Sequence, residues 1–366
     1  MNFRYSEWRD EQNKSRLTFD DLMKLFSQLL LQSDGNVGQA LQWLTYLDQK
    51  HRLFDDEPGK GLGNFIDWMK QQGYLDETNR ELRLTKRGGK RIRQDSLDQV
   101  FSSLRKSRMG GQHSIPKSGE GIERLSETKR YRFGDAPSNL DFTNTINNAL
   151  KRAGIDDINI AEDDLEIYET EHMTTCATVL MIDISHSMIL YGEDRITPAK
   201  NVALALSELI LTKYPKDSLN VIVFGDDAME VKVDDIPFIN VGPFHTNTKA
   251  GLQLARTILK RKRNVNKQIF MITDGKPSAI FEYGRIYKNP YGLDRKIVNK
   301  TLDEAMLCRR EKTTITTFMI ADDPWLVDFV NKMTEANRGR AYFSSLNTLG
   351  EFVFVDYIRN RRKHVR

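Results

Sequence analysis

The run Val179-Leu-Met-Ile-Asp183-Ile-Ser185-His-Ser187-Met limits the fold more than any other stretch of the 366-residue sequence. An unbroken apolar segment of this length suits a central parallel strand covered on both faces, and ligand sites in such sheets lie just beyond the strands' carboxyl ends. The strand therefore delivers Asp183, Ser185 and Ser187 to that edge. A second run, Gln268-Ile-Phe-Met-Ile-Thr-Asp274-Gly275, repeats the design, and Thr246-Asn-Thr lies between the two. Alternate residues 183, 185 and 187 converge on one point only if the chain leaves strand geometry and curls into a loop. Two carboxylates and three hydroxyls carry too little charge for a rigid calcium cage. They suit octahedral Mg2+, with Mn2+ as the second choice, and leave one coordination position for an outside ligand.

Asp183-x-Ser185-x-Ser187, then Thr246, then Thr273-Asp274-Gly275 resembles the metal-ion-dependent adhesion site of von Willebrand factor A (VWA) domains. The resemblance runs from about Met173 to the carboxyl end. It implies a doubly wound, Rossmann-like α/β domain with a mostly parallel sheet, and it implies Asp183, Ser185, Ser187, Thr246 and Asp274 as the metal ligands. It further implies a binding module, in which an Asp or Glu from a partner completes the coordination of the ion. Intracellular bacterial relatives with an extra N-terminal region work with MoxR-type AAA+ ATPases, so the expected role is an adaptor coupling such an ATPase to a target. Two alternatives use the same chain differently: a metal-dependent hydrolase at this site, and a DNA-binding regulator acting through the N-terminal region. The hydrolase lacks an evident base, since only His186 and His245 neighbour the ligands and the sequence does not fix their direction. Pro58-Gly-Lys-Gly-Leu-Gly lacks phosphate-loop spacing, and Ser185 and Ser187 beside His186 do not form a nucleophile–base pair, so no enzyme is expected.

The remaining alternation of helical and strand patterns fits this fold. Ile196-Thr-Pro198 opens a helix, Leu219–Phe224 and Thr313–Ile320 read as buried strands, and a helix-containing insertion spans about Ser278 to Arg310. Phe244 and His245 stand where relatives carry glycine, which stiffens the loop before Thr246.

At 39% hydrophobic and 29% charged, the chain is globular and long enough for two or three domains. Met1–Asp10 has no apolar signal core and no stretch is long enough to span a bilayer, which points to the cytoplasm. Cys176 and Cys308, one in a strand pattern and one in a helical pattern, suit a reducing compartment. Net charge is +4, too small to imply nucleic acid by itself. The basic residues gather at Lys86–Arg93, Lys260–Arg263 and Arg359–Lys363, as at solvated helix ends.

Residues 1–107 read as a helical domain. Thr18-Phe-Asp-Asp21 resembles a capping box, followed by an amphipathic helix through Leu30, a second on Val37–Leu44 and a third from Asn64 to Gln72. Two short strands from Tyr74 to Thr85 and a helix from about Arg91 to Leu104 complete a pattern that resembles a winged helix. Apolar residues dominate its third helix, so docking is favoured over DNA binding. Residues 108–157 read as a partly ordered linker, with turn formers from Met109 to Gly121 and one short helix at Leu140–Ala153. The α/β domain is expected at 158–366, led in by an edge strand at Leu165–Glu171.

Overall fold

The computed structural model describes residues 18–51, 53–54, 61–78, 81–107, 123–131, 140–154, 159–171, 175–192, 194–264, 266–274, 276–282, 284–289, 293–320, 324–343 and 349–361. Gly275, the whole Met109–Gly121 stretch, Pro58-Gly-Lys60 and the last basic residues of the tail lie outside them.

The amino-terminal region is mainly helical: α1 (Phe19–Gln32), α2 (Val37–His51), α3 (Leu62–Gln71), a hairpin of β1 (Leu75–Thr78) and β2 (Glu81–Leu84), and α4 (Lys86–Ser107). The expected capping box is formed. The Asp21 amide donates to the Thr18 hydroxyl, while the Thr18 amide and hydroxyl both donate to Asp21 at 3.1 and 2.7 Å. These bonds hold the Asp21 carboxyl below its usual range. The last helix starts five residues earlier than its apolar periodicity suggests, because Gly88-Gly89 does not interrupt it. Thr85 caps its first turn by accepting from the Gly88 amide at 3.0 Å. Gly88 also permits a close approach: a Cβ there would lie 2.3 Å from the Tyr74 carbonyl oxygen.

Next comes a small unit of β3 (Glu123–Arg130), α5 (Phe142–Ala153) and β4 (Glu166–Glu171), with β3 and β4 paired antiparallel. The strand at Glu166–Glu171 thus pairs with β3 rather than entering the main sheet as an edge strand. The boundary expected near Ile158 runs through this unit.

The carboxyl half contains β5 (Cys176–Asp183), α6 (Ile196–Lys213), β6 (Ser218–Phe224), β7 (Ala228–Val231), α7 (Thr248–Lys260), β8 (Asn266–Thr273), a hairpin of β9 (Ala279–Glu282) and β10 (Arg285–Lys288), α8 (Arg295–Arg310), β11 (Thr313–Met319), α9 (Pro324–Asn337), β12 (Arg340–Phe343) and α10 (Leu349–Arg361). Six strands form one sheet in the order β12-β11-β8-β5-β6-β7, parallel except for β7. Its two faces follow the period of two along each strand. Leu180, Ile182, Phe270 and Ile272 point to one core, with α6 and α10; Val179, Met181, Ile269 and Met271 point to the other, with α7, α8 and α9. Strand order reverses between β5 and β8, where a doubly wound sheet opens a crevice at its carboxyl edge.

The helical region is not merely tethered to this domain. Leu30, Phe65 and Ile92 belong to the same buried cluster as α6 and α10. Arg93 of α4 lies 3.2 Å from Glu208 of α6 and 2.6 Å from Asp234. Lys200 of α6 is fully buried, with Nζ 2.6 Å from Asp34 and 3.3 Å from the Leu31 carbonyl oxygen. Burial lowers the Lys200 pKa, opposed by Asp34. Arg91 is likewise engaged, with Asp20 and Asp95. Two arginines of the basic cluster at Lys86–Arg93 are thus spent on ion pairs within the protein.

Candidate functional site

Strand β5 ends at Asp183, which is fully buried, and the chain then turns sharply so that the Ser185 amide donates back to Asp183 Oδ1 at 2.9 Å. Thr273, the last residue of the neighbouring β8, donates its hydroxyl to Asp183 Oδ2 at 2.6 Å. The Ser185 and Ser187 Oγ atoms are 3.0 Å apart, and Ser187 donates to Asp274 Oδ1 at 2.8 Å. Since Ser187 gives its proton to Asp274, Ser185 is the donor between the two hydroxyls. A continuous hydrogen-bonded path therefore runs from Asp183 through Ser185 and Ser187 to Asp274 at the crevice between β5 and β8. Two stretches 87 residues apart meet there.

Thr246 is buried on the loop before α7, and this loop is stitched to both neighbours. The His186 amide donates to the Phe244 carbonyl at 3.1 Å, the Thr246 amide to Ser278 Oγ at 3.0 Å, and the Ser278 amide to the Thr246 carbonyl at 3.0 Å. The loop is also packed from beneath. The Phe244 ring sits over Gly225 and Gly242, where a Cβ would come within 3.0 and 2.2 Å of it. His245 turns to Asp226: its amide donates to Asp226 Oδ1 at 2.8 Å, and its Nδ1 lies 3.0 Å from the same oxygen. Asn247 holds the same corner through the Asp226 carbonyl at 2.9 Å and caps α7 at the Ala250 amide. His186 is exposed.

The electrostatics are uneven. Burial, and next the nearby Asp274, push the Asp183 carboxyl up to about 7, against the lowering effect of the Ser185 and Thr273 bonds. Asp274, whose side chain is wholly buried, has a cation: Arg195 Nη1 lies 2.6 Å from Oδ2. Arg195 closes its own loop by donating its amide to the Met188 carbonyl at 3.0 Å, immediately before α6. The sequence pattern does not single out Arg195, and it carries Thr273 only as part of Thr273-Asp274-Gly275, without its bond to Asp183. The available signal is the position of Arg195 immediately before the helix-opening Ile196-Thr-Pro198, a few residues after Ser187.

Among the described residues no three His, Cys, Asp or Glu side chains form a metal-binding cluster. The donors at this edge are two carboxylates supplemented by hydroxyls, a set able to hold a hard divalent ion and ill-suited to a thiophilic one. The two cysteines are elsewhere, both buried and neither in a disulfide, and burial pushes the Cys308 thiol up to about 12.

This sheet order and crevice define a VWA-type α/β protein. A family model described as "Rv0959-like protein, vWA domain" matches residues 176–358, and the chain belongs to that family. A second, described as the third domain of Rv0959-like proteins, matches residues 123–170, the β3–α5–β4 unit. Uncharacterized protein Rv0959 of Mycobacterium tuberculosis and Mb0984 of Mycobacterium bovis are each 30% identical over 301 residues, covering 80% of this chain. The match spans 44% of those relatives' length. Similar solved chains include the vWF domain of the type V pili tip protein Mfa5 from Porphyromonas gingivalis (13% identity, TM-score 0.43, 53% of this chain and 98% of that one). Another is the SpRpn10 VWA domain (18% identity, TM-score 0.35, 48% and 93%).

Proposed function

We propose that the protein is a non-enzymatic, metal-dependent adaptor, in which Asp183, Ser185, Ser187, Thr246 and Asp274 form a metal-ion-dependent adhesion site for Mg2+, or Mn2+. The observation that carries this reading is the hydrogen-bonded path Asp183–Ser185–Ser187–Asp274 at the sheet's switch point. A hard divalent ion there would offset the cost of a buried carboxylate and present a coordination position to an outside oxygen. The natural occupant is an Asp or Glu of another protein. Exposed Ile189 and Phe244, on the two loops that carry site residues, give such a partner apolar surface beside the carboxylate.

The partner class is a MoxR-type AAA+ ATPase or its client, as the family resemblance suggests, with the exchange taking place in the cytoplasm. Among the described residues no helix is long and apolar enough to cross a membrane. A hydrolytic role needs a base aimed at the ion, whereas His245 is turned to Asp226.

Calorimetric titration tests the metal site. Wild-type protein should bind Mg2+ and Mn2+ with modest affinity, and Asp183→Ala and Asp274→Ala should not; unchanged binding in both variants would refute the assignment. A pull-down from the source cell, with and without chelator, tests the adaptor role. Retention of an AAA+ protein or its client should require the metal and be weakened by Ser185→Ala.

A further inference from the structure

The hairpin of β9 and β10 is anchored by Ala279 and Ile280, both fully buried, and its outer part stands clear of both cores. Among the described residues its strands pair only with each other, and β10 is exposed along its whole length. Phe281 and Ile286 lie opposite each other across the pair, so they share one face, and that face meets solvent: the two side chains are 50% and 41% exposed. The hairpin adjoins the candidate site. Ser278, just before β9, exchanges hydrogen bonds with Thr246, and the Asn289 amide, just after β10, donates to the Ser278 carbonyl at 2.8 Å. Cations surround the apolar pair. Residues 276–300 include Lys276, Arg285, Lys288, Arg295, Lys296 and Lys300 against only Glu282 and Asp294. Both acids are already engaged: Lys296 pairs with Glu282, and Asp294 caps α8 while accepting from the Tyr287 hydroxyl at 3.1 Å. The Lys296 bond, and then the charges of Lys296, Lys300 and Lys249 of α7, hold the Glu282 carboxyl below its usual range, so Lys249 and Lys300 act on the hairpin as well. On the helices packed against it, Glu304 is held by Arg256, and Asp303 is exposed one turn beyond Lys300. Asp322 and Asp323, which follow β11 in the sequence, lie outside the described residues.

We propose that this hairpin is a docking surface for an acidic segment of a partner protein, whose apolar side chains cover Phe281 and Ile286 while its carboxylates meet Arg285, Lys288, Lys249 and Lys300. Charge complementarity selects the occupant: an exposed apolar pair ringed by cations gains most from an apolar residue flanked by acids. The chain does not supply that segment from its two longest stretches outside the described residues, since 1–17 and 108–122 each have more basic than acidic residues. Nucleic acid is the poorer fit. Ile286 offers no plane for a base to stack on, and the Tyr287 ring is covered by the Lys296 ammonium 4.7 Å away. That the docked partner also completes the ion beside Thr246 rests on the metal reading above; the hairpin contact itself needs no ion.

The test uses the full chain in chelator and a fluorescein-labelled peptide of repeating Glu-Leu-Glu-Phe, followed by anisotropy. Wild type should bind it with an affinity that falls as salt rises, and should bind the same peptide with Gln for Glu on the order of tenfold more weakly. Arg285→Glu/Lys288→Glu should lose on the order of tenfold through charge, and Phe281→Ser/Ile286→Ser a similar factor through the apolar contact. All four side chains are exposed, so thermal unfolding should be unchanged and a loss of binding is not a loss of fold. No binding of the acidic peptide by wild type up to about 1 mM would overturn the proposal. So would binding left unchanged in either double variant, or tighter binding of a labelled oligothymidylate than of the acidic peptide. Repeating the wild-type titration in Mg2+ keeps the two readings apart: a gain is what a bridged ion requires, and its absence counts against the ion while leaving the hairpin contact measured in chelator.

Discussion

Two buried carboxylates in the α/β domain are treated in opposite ways. Asp356 of α10, on the β11–β12 side of the sheet, is 1% exposed and is surrounded by donors: Arg340 Nη2 at 3.1 Å, the Tyr342 hydroxyl at 3.0 Å and the Thr316 hydroxyl at 3.2 Å. Asp183, at the carboxyl edge, is equally buried, yet its described partners are one hydroxyl and one amide, and among the described residues it has no cationic partner. The first arrangement is closed and structural, since an internal guanidinium already balances the charge. The second leaves the charge to be balanced from outside. Burial alone therefore does not separate the two, and Asp274, a carboxylate of the candidate site that does have Arg195 beside it, stands between them.

Three substitutions would break or sharpen this contrast. The largest effect is expected at Asp356→Ala. Loss of the carboxylate strands Arg340 and two hydroxyls, and urea unfolding should show a loss of about 3 kcal/mol. A near-neutral result would mean that the pairing at Asp356 is incidental.

At Asp183→Asn the sign should reverse. The unfolded carboxyl gives up its proton near the ordinary value of 3.8, whereas the folded one holds it up to about 7. Ionisation is therefore costlier in the folded state, and wild-type stability in chelator should fall as pH rises between those values and level off above them. Asparagine removes the dependence. The variant's advantage over wild type should therefore grow between pH 5 and pH 8, by about 2 kcal/mol, and stay level above that. A variant less stable than wild type at pH 8 would break the comparison.

The smallest effect belongs to Glu208→Gln, at the seam with the helical region. Arg93 keeps Asp234 as a second partner, so the cost by the same unfolding assay should be about 1 kcal/mol.

The closed and open carboxylates were not equally legible beforehand. Asp183, Ser185, Ser187 and Asp274 could be placed because each follows an apolar strand in the chain, and sequence neighbours report strand ends well. The closed site could not: Asp356 meets Arg340 and Thr316 across three elements, with nothing in the local pattern to join them. The same holds for Thr273, which meets Asp183 only through the pairing of β5 with β8, and for Arg195, which reaches Asp274 from the segment before α6. Helix α4 was legible in its apolar stripe but not in its start, because the glycines at 88 and 89 signal a break that the close contact with Tyr74 overrides. The strand at Glu166–Glu171 announced itself by alternation, but alternation says nothing about which strand it will pair with.

The packing of Phe244 onto Gly225 and Gly242 has a kinetic side. A loop that is already braced by an aromatic ring, by His245 on Asp226 and by Ser278 on Thr246 does not have to be ordered when something arrives at the crevice. If the site holds the proposed ion, arrival of a partner there would be limited by diffusion and by the exchange of water from that ion, with no slow closing step, and differences in how long partners stay would be set by their rates of departure.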